Sequence, residues 1–227
     1  MGCSGCESTQ EKSAQLERQA KRVTLAQKGL SIARQSRFVK AVGATVVRDS
    51  EGAAVAVTLR NDSARALRQV PLAITVAGKG GRTLFENNAP GLEAALVSVP
   101  SLPAHGTIVW VDDQVPPSGE PAKASAKVGE APAIAGPVPR VAVSGLHAIE
   151  DPTNGPGAAG TVVNRSSVEQ RNLVVFVVGR RGGAVVAAGR AVLPELAAGA
   201  TLPFQVFPIG LPRGARFEAS APPSTFG

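Results

Sequence analysis

At 227 residues the chain is too long for one small domain and suits two of about 100 residues each. The hydrophobic fraction is 44%, weighted to Val and Ala, with no Tyr and one Trp; 25 Gly and 18 Pro punctuate short Val-rich runs, a pattern of many strands and turns. Of the net charge of +7, residues 1–40 supply +5, from eight Lys or Arg against three Glu, so the basicity belongs to a leader and no nucleic-acid surface is expected. No run of 18 apolar residues occurs, which excludes a helical membrane span in this sequence.

The chain opens MGCSGCE, and both of its cysteines, Cys3 and Cys6, lie in this 1–7 tail. A redox Cys-x-x-Cys pair needs a preceding strand and a helix N-terminus to lower the thiol pKa, and no strand precedes it. A zinc half-site lacks its second pair, since His105 and His147 fall far away. N-myristoylation asks for Ser or Thr where Cys6 stands. A fourth reading places the chain directly after a removed signal peptide. Gly2-Cys3 then resembles the end of a bacterial lipobox, whose cysteine thiol takes the diacylglycerol; Gly5-Cys6 fits nearly as well, so the expected lipidation site is Cys3 (or Cys6). Unreactive tail cysteines are the plain alternative.

Residues 8–37 read as a basic amphipathic helix. Ser8 with Glu11 makes a capping box, and Leu16, Val23 and Leu30 recur every seven residues with Ala20, Ala26 and Ala33 between them. The stripe is thin, and Gly29 weakens it by about 1 kcal/mol relative to Ala. Such a helix serves as a tether, docks on its own domain, self-associates, or lies near anionic lipid, where basic residues supplement a single acyl chain.

From Phe38 the apolar period shortens to two. Strands are expected at 39–47, 53–60, 70–77, 83–85, 97–99, 108–111 and 123–128, with turns at Asp49–Gly52 and Gly78–Gly81. These fill a domain over 38–129; a stiff Pro-rich linker follows at 130–139. A second round over 140–221 carries strands at 141–149, 158–163, 173–178, 185–190, 202–207 and 216–220, and 222–227 is a Pro-rich tail.

The two rounds are copies. LRNDSARALRQVPLAITVAGKGG, 59–81, matches VVNRSSVEQRNLVVFVVGRRGG, 162–183, with Asn61 answering to Asn164 and Val70 to Leu173 at a spacing of 103. Further on, LPAHGTIVWV and LAAGATLPFQV place Trp110 opposite Phe204 at a spacing of 94. The difference is an insertion over 86–96 in the first copy. Asn61 and Asn164 read as turn-makers, and Trp110 and Phe204 as core. The fold expected is all-β: two tandem immunoglobulin-like antiparallel β-sandwiches preceded by an N-terminal α-helix.

The second copy resembles the FxLYD-type domain of bacterial and archaeal envelope proteins at Gly160, Val162, Asn164, Ser166, Leu196, Gly199, Thr201 and Phe204. The first matches at Leu59, Asn61, Ser63, Leu102, Gly106, Thr107 and Trp110, but the naming F-x-L-Y-D string is absent. The resemblance implies a non-enzymatic, often lipid-anchored envelope protein, and no catalytic residues.

No H-E-x-x-H, G-x-S-x-G, Walker loop or strand-borne G-x-G-x-x-G occurs. The pairs Asp112-Asp113 and Glu150-Asp151, the latter with Asn154, offer oxygens of the kind Ca²⁺ takes, but stand where turn-forming carboxylates are common. No catalytic, metal or cofactor site is therefore expected. The expected partners are a membrane, through the N-terminal lipid, and other envelope proteins or the chain itself, at an extracytoplasmic, membrane-anchored location (cytoplasmic if no signal peptide precedes Met1). The alternatives are a self-assembling subunit of an extracellular filament or surface layer, and a metal-binding or carrier protein using Cys3, Cys6 and the histidines.

Overall fold

The structure is a computed structural model that describes residues 29–50, 52–116 and 119–227. It is nearly all β. In the first repeat β1 (Val39–Arg48), β2 (Ala53–Asn61) and β6 (Thr107–Val115) form one antiparallel sheet in the order β1-β2-β6. Opposite it, β3 (Leu67–Gly78) pairs with β4 (Thr83–Glu86), β5 (Ser98–Leu102) and β7 (Pro121–Val128); a single helical turn α1 (Ala94–Val97) precedes β5. In the second repeat β8 (Val141–Asp151), β9 (Gly155–Asn164) and β12 (Thr201–Val206) form one sheet, with β9 central. The other holds β10 (Gln170–Arg181), β11 (Ala184–Leu196), the two-residue β13 (Ile209–Gly210) and β14 (Arg216–Ser220), in the order β13-β11-β10-β14.

The duplication persists at the level of strand register. Val57 faces Trp110 as Gly160 faces Phe204, and Val70 faces Val99 as Leu173 faces Leu193. Every one of these correspondences keeps the spacings of 103 and 94 read from the sequence. Gln69 and Asn172, also 103 apart, share a positive φ of 48° in the same irregular entry to β3 and β10. The insertion explains one divergence: it divides into β4 and β5 what is the single long strand β11 in the second repeat. Asn87 locks it in place, accepting from Ile74 N and donating to Leu72 O and Leu96 O, and Trp110 Nε1 donates to Ala95 O at 2.8 Å.

Asn61 and Asn164 are fully buried and make the same bonds. Asn61 Nδ2 donates to Arg65 O and Pro103 O while its Oδ1 accepts from Ser63 N and Ser63 Oγ. Asn164 repeats this with Val168 O, Leu196 O, Ala197 O and Ser166. Each side chain thus closes its own loop and ties it to a distant one. Asn164→Ala is expected to lose about 2 kcal/mol of unfolding free energy, because three carbonyls lose their donor inside the protein. Urea unfolding checks it; a loss no larger than that of the exposed Asn88→Ala would remove Asn164 from this role.

The helix expected over 8–37 does not extend through its described part. Residues 29–37 are bends and extended chain, with Gln35 bridged to Gly129 and Ser36 N donating to Val128 O. Ser36 Oγ accepts from Phe38 N and Val39 N, turning the chain into β1. Residues 8–28, and the tail with Cys3 and Cys6, lie outside the described residues. At the other end, residues 222–227 belong to no strand or helix, yet they are held against the start of β10.

The two repeats share a core. On β10, Leu173, Val175 and Val177 join Val162, Leu196, Phe204 and Val206 inside the second repeat. The alternate residues Val174, Phe176 and Val178, with Ala188 of β11, join the core of the first repeat. β10 is therefore buried on both faces. The β2 residues on the facing side are small, Ala54 and Ala56, which lets the sheets approach closely.

Candidate functional site

The junction between the repeats brings Asp113, Arg190 and Glu93 together, and its chemistry starts from strand alternation. Asp112 and Asp113 are neighbours on β6 and so point to opposite faces. Asp112 faces the core of the first repeat at 1% exposure, with Oδ1 accepting from Gln114 N at 2.9 Å. Burial pushes its carboxyl up to about 6, with the Asp113 charge adding to the rise. Asp113 faces the second repeat, where Arg190 of β11 donates to it from Nε at 2.8 Å and from its backbone N at 3.0 Å. The Arg190 side chain is 5% exposed, and Glu93 from the insertion lies 3.5 Å from its Nη1. Near the same end of the β1-β2-β6 sheet, where Arg48 and Val115 both pair with Ala53, Asp49 accepts from Gly210 N at 2.7 Å.

The carboxylate pairs offered as calcium ligands are therefore divided or used. Asp112 and Asp113 cannot converge on one ion. Asp151 Oδ1 accepts from Thr153 N, Asn154 N and Asn154 Nδ2, and these backbone bonds hold its carboxyl below the usual range. Glu150 pairs with Arg213. His105 sits in a loop with φ 51°, and His147 is exposed, with Nδ1 2.7 Å from Gly145 O. Among the described residues no cluster of three or more His, Cys, Asp or Glu is placed to hold a metal ion.

The junction also forms a groove. One section, about 300 Å³, is lined by Leu102, Ile108, Ile134, Val138, Val141 and Ala221 among others, so the 130–140 segment is one of its walls. The adjoining section, about 290 Å³, shares Thr107, Ile108, Ala219 and Ser220 with the first and reaches Phe176 and Val178. Arg180 and Glu218, paired at 2.9 Å, stand at its side. Two edge strands, β6 and β14, border it. An apolar trough beside strand edges is suited to an extended chain, which supplies main-chain bonds and alternate side chains. This trough is not legible in the sequence, because its walls come from segments scattered between Ala66 and Pro223.

No family model and no curated protein matches this chain. Among solved structures it is similar to an exo-chitosanase of Amycolatopsis orientalis, at 12% identity and a TM-score of 0.28, over 78% of this chain and 25% of that one. It is similar also to the transglutaminase of red sea bream, at 13% identity and a TM-score of 0.24, over 96% of this chain and 32% of that one. The chain thus spans a third or less of these two proteins, and likeness at this level carries no argument about activity.

Proposed function

We propose that the chain is a non-catalytic cell-envelope protein, tethered by a lipid on Cys3 (or Cys6), that presents two immunoglobulin-like β-sandwiches of FxLYD type for structural or adhesive contact. The observation that carries this reading is the junction: a shared apolar core and the Arg190–Asp113 pair join the repeats into one body, and the groove at their seam offers an apolar surface to a partner. A rigid body of stacked sheets suits presentation and contact, and the apolar trough suits capture of an extended segment of another envelope protein. The basic leader would supplement a single acyl chain at an anionic membrane.

Anchoring is tested by expressing the chain behind its own upstream region in a bacterial host fed radiolabelled palmitate, followed by detergent phase partition. Label and detergent partition are expected, lost in Cys3→Ser or, if Cys6 is the acceptor, in Cys6→Ser. An unlabelled, aqueous protein carrying both cysteines would sink the anchored reading. The alternative reading, a self-assembling subunit of a filament or surface layer, is favoured by Phe38 just before β1 and Val42 within it, which are 58% and 50% exposed. Sedimentation over a concentration series separates the two, since a concentration-independent monomer excludes assembly.

A further inference from the structure

The outer side of β14 is bare. This strand closes the order β13-β11-β10-β14, its residues pair only with β10, and 216–220 make no other backbone bond among the described residues. Every second N–H and C=O along it therefore turns away from β10 with no strand to meet it, the condition under which a sheet accepts an added strand. Ala219 and Ser220 of β14 line both sections of the seam groove, so the open edge borders the apolar trough. Three hydroxyl-bearing residues of the groove, Ser101, Thr107 and Ser220, have no side-chain hydrogen-bond partner among the described residues, and Ser101 is 2% exposed. A hydroxyl so buried is costly to leave unpaired, and a main chain lying in the groove brings N–H and C=O groups to it.

Charge decides what kind of chain fits. The register sets Phe176 opposite Ser220, Val178 opposite Glu218 and Arg180 opposite Arg216, so these six residues share the face turned toward the first repeat. Like charges directly opposite on neighbouring strands repel. Glu218 offsets one of the two arginines, pairing with Arg180 Nε at 2.9 Å. Arg216 is exposed and has no ion pair among the described residues. The groove is thus apolar along its length and short of one carboxylate at its Arg216 end.

We propose that the groove takes an extended segment of a partner protein, added antiparallel to β14, with apolar side chains at alternate positions and an acidic side chain at its C-terminal end against Arg216. In that direction the acidic residue lies opposite Arg216, and the residues two and four before it lie opposite Glu218 and Ser220, beside Ile108 and Val138. This occupant rests on the proposed contact role of the seam and needs no lipid tether. Failure of peptide binding therefore strikes the groove alone, and absence of palmitate label strikes the tether alone.

The test uses the full chain in reductant and fluorescence anisotropy of three labelled peptides. The first is the capped heptapeptide Val-Thr-Val-Thr-Val-Thr-Asp. The second ends in Lys, and the third has Pro in place of each Thr, which removes the N–H groups an edge strand must receive. Saturable binding of the first is expected, weaker by about tenfold for the second, and absent for the third. Arg216→Glu should invert the order of the Asp and Lys peptides, a result that mere loss of structure cannot produce. Val138→Asp should weaken the Asp peptide by about tenfold, because it sets a charge in the apolar wall. Absence of binding by the Asp peptide at millimolar concentration overturns the proposal. So does equal binding of the Asp and Lys peptides, or undiminished binding of the Pro peptide. The comparison of the three peptides on the parent chain needs no variant, so a variant that failed to fold would leave the test intact.

Discussion

Arg190→Ala is expected to lower the unfolding free energy by about 3 kcal/mol, the lower end of the cost of breaking a buried ion pair. The lower end applies because Asp113 keeps the Arg190 backbone N–H and is 22% exposed, while the guanidinium it loses is almost wholly desolvated at 5%. Removing the cation leaves a carboxylate between two packed sheets with half of its partners gone. The matched control is Arg213→Ala: its pair with Glu150 is 78% and 58% exposed, and its loss should cost under about 1 kcal/mol. Replacing both partners, Asp113→Val with Arg190→Met, should recover most of the loss, because an apolar pair fits a seam already lined by Phe176 and Val178. Urea unfolding of the three variants beside the parent decides the matter. Equal costs for Arg190→Ala and Arg213→Ala would mean that the pair does not lock the repeats.

That lock was the part of the molecule least legible in the sequence. The repeat itself was fully legible: Asn61 with Asn164 and Trp110 with Phe204 fall in equivalent register, since strand period and turn chemistry are local properties written in neighbouring residues. How repeat packs on repeat is not local. Yet one signal was present. Leu173–Val178 is six apolar residues without alternation, which marks a strand buried on both faces, whereas a strand of a free-standing sandwich alternates. Asp112-Asp113 misled in a related way, because adjacency in a strand separates side chains to opposite faces. The thin Leu16–Val23–Leu30 stripe overstated the helix at its end: Ile32, Ser36 and the bridge to Gly129 draw 29–37 into extended contact with the first repeat. The docking of 222–227 was hidden for another reason. Two prolines argue against a strand, and there is none, but the side-chain amide of Gln170 supplies the partners that a neighbouring strand would otherwise give.

The second large effect concerns Asp112, and its sign is the reverse of the usual carboxylate case. A buried Asp normally has an ion-pair partner that lowers its pKa; here burial dominates and the folded value rises from 3.8 to about 6, with Asp113 opposing ionisation and Arg190, across the strand, only partly favouring it. Between those two values the folded chain holds a proton that the unfolded chain has released. Stability is therefore greatest from this group at low pH and falls as pH rises through about 4 to 6, by roughly 3 kcal/mol in all. Asp62, Glu120 and Asp151 are held below the ordinary range by Arg60, Lys79 and backbone N–H groups respectively, so they act in the opposite sense, their contributions being lost as pH falls. Asp112→Asn keeps an oxygen for Gln114 N and removes the charge. It is expected to match the parent near pH 4 and to exceed it at pH 7 by up to about 3 kcal/mol, measured by urea unfolding across that range. A difference between the two proteins that does not change with pH would show that Asp112 is not the buried titrating group. The natural chain thus keeps in the core of its first repeat a charge that costs it stability at neutral pH. That charge lies one residue from the Asp113–Arg190 pair, so acidification should tighten the half of the molecule on which the second repeat is seated.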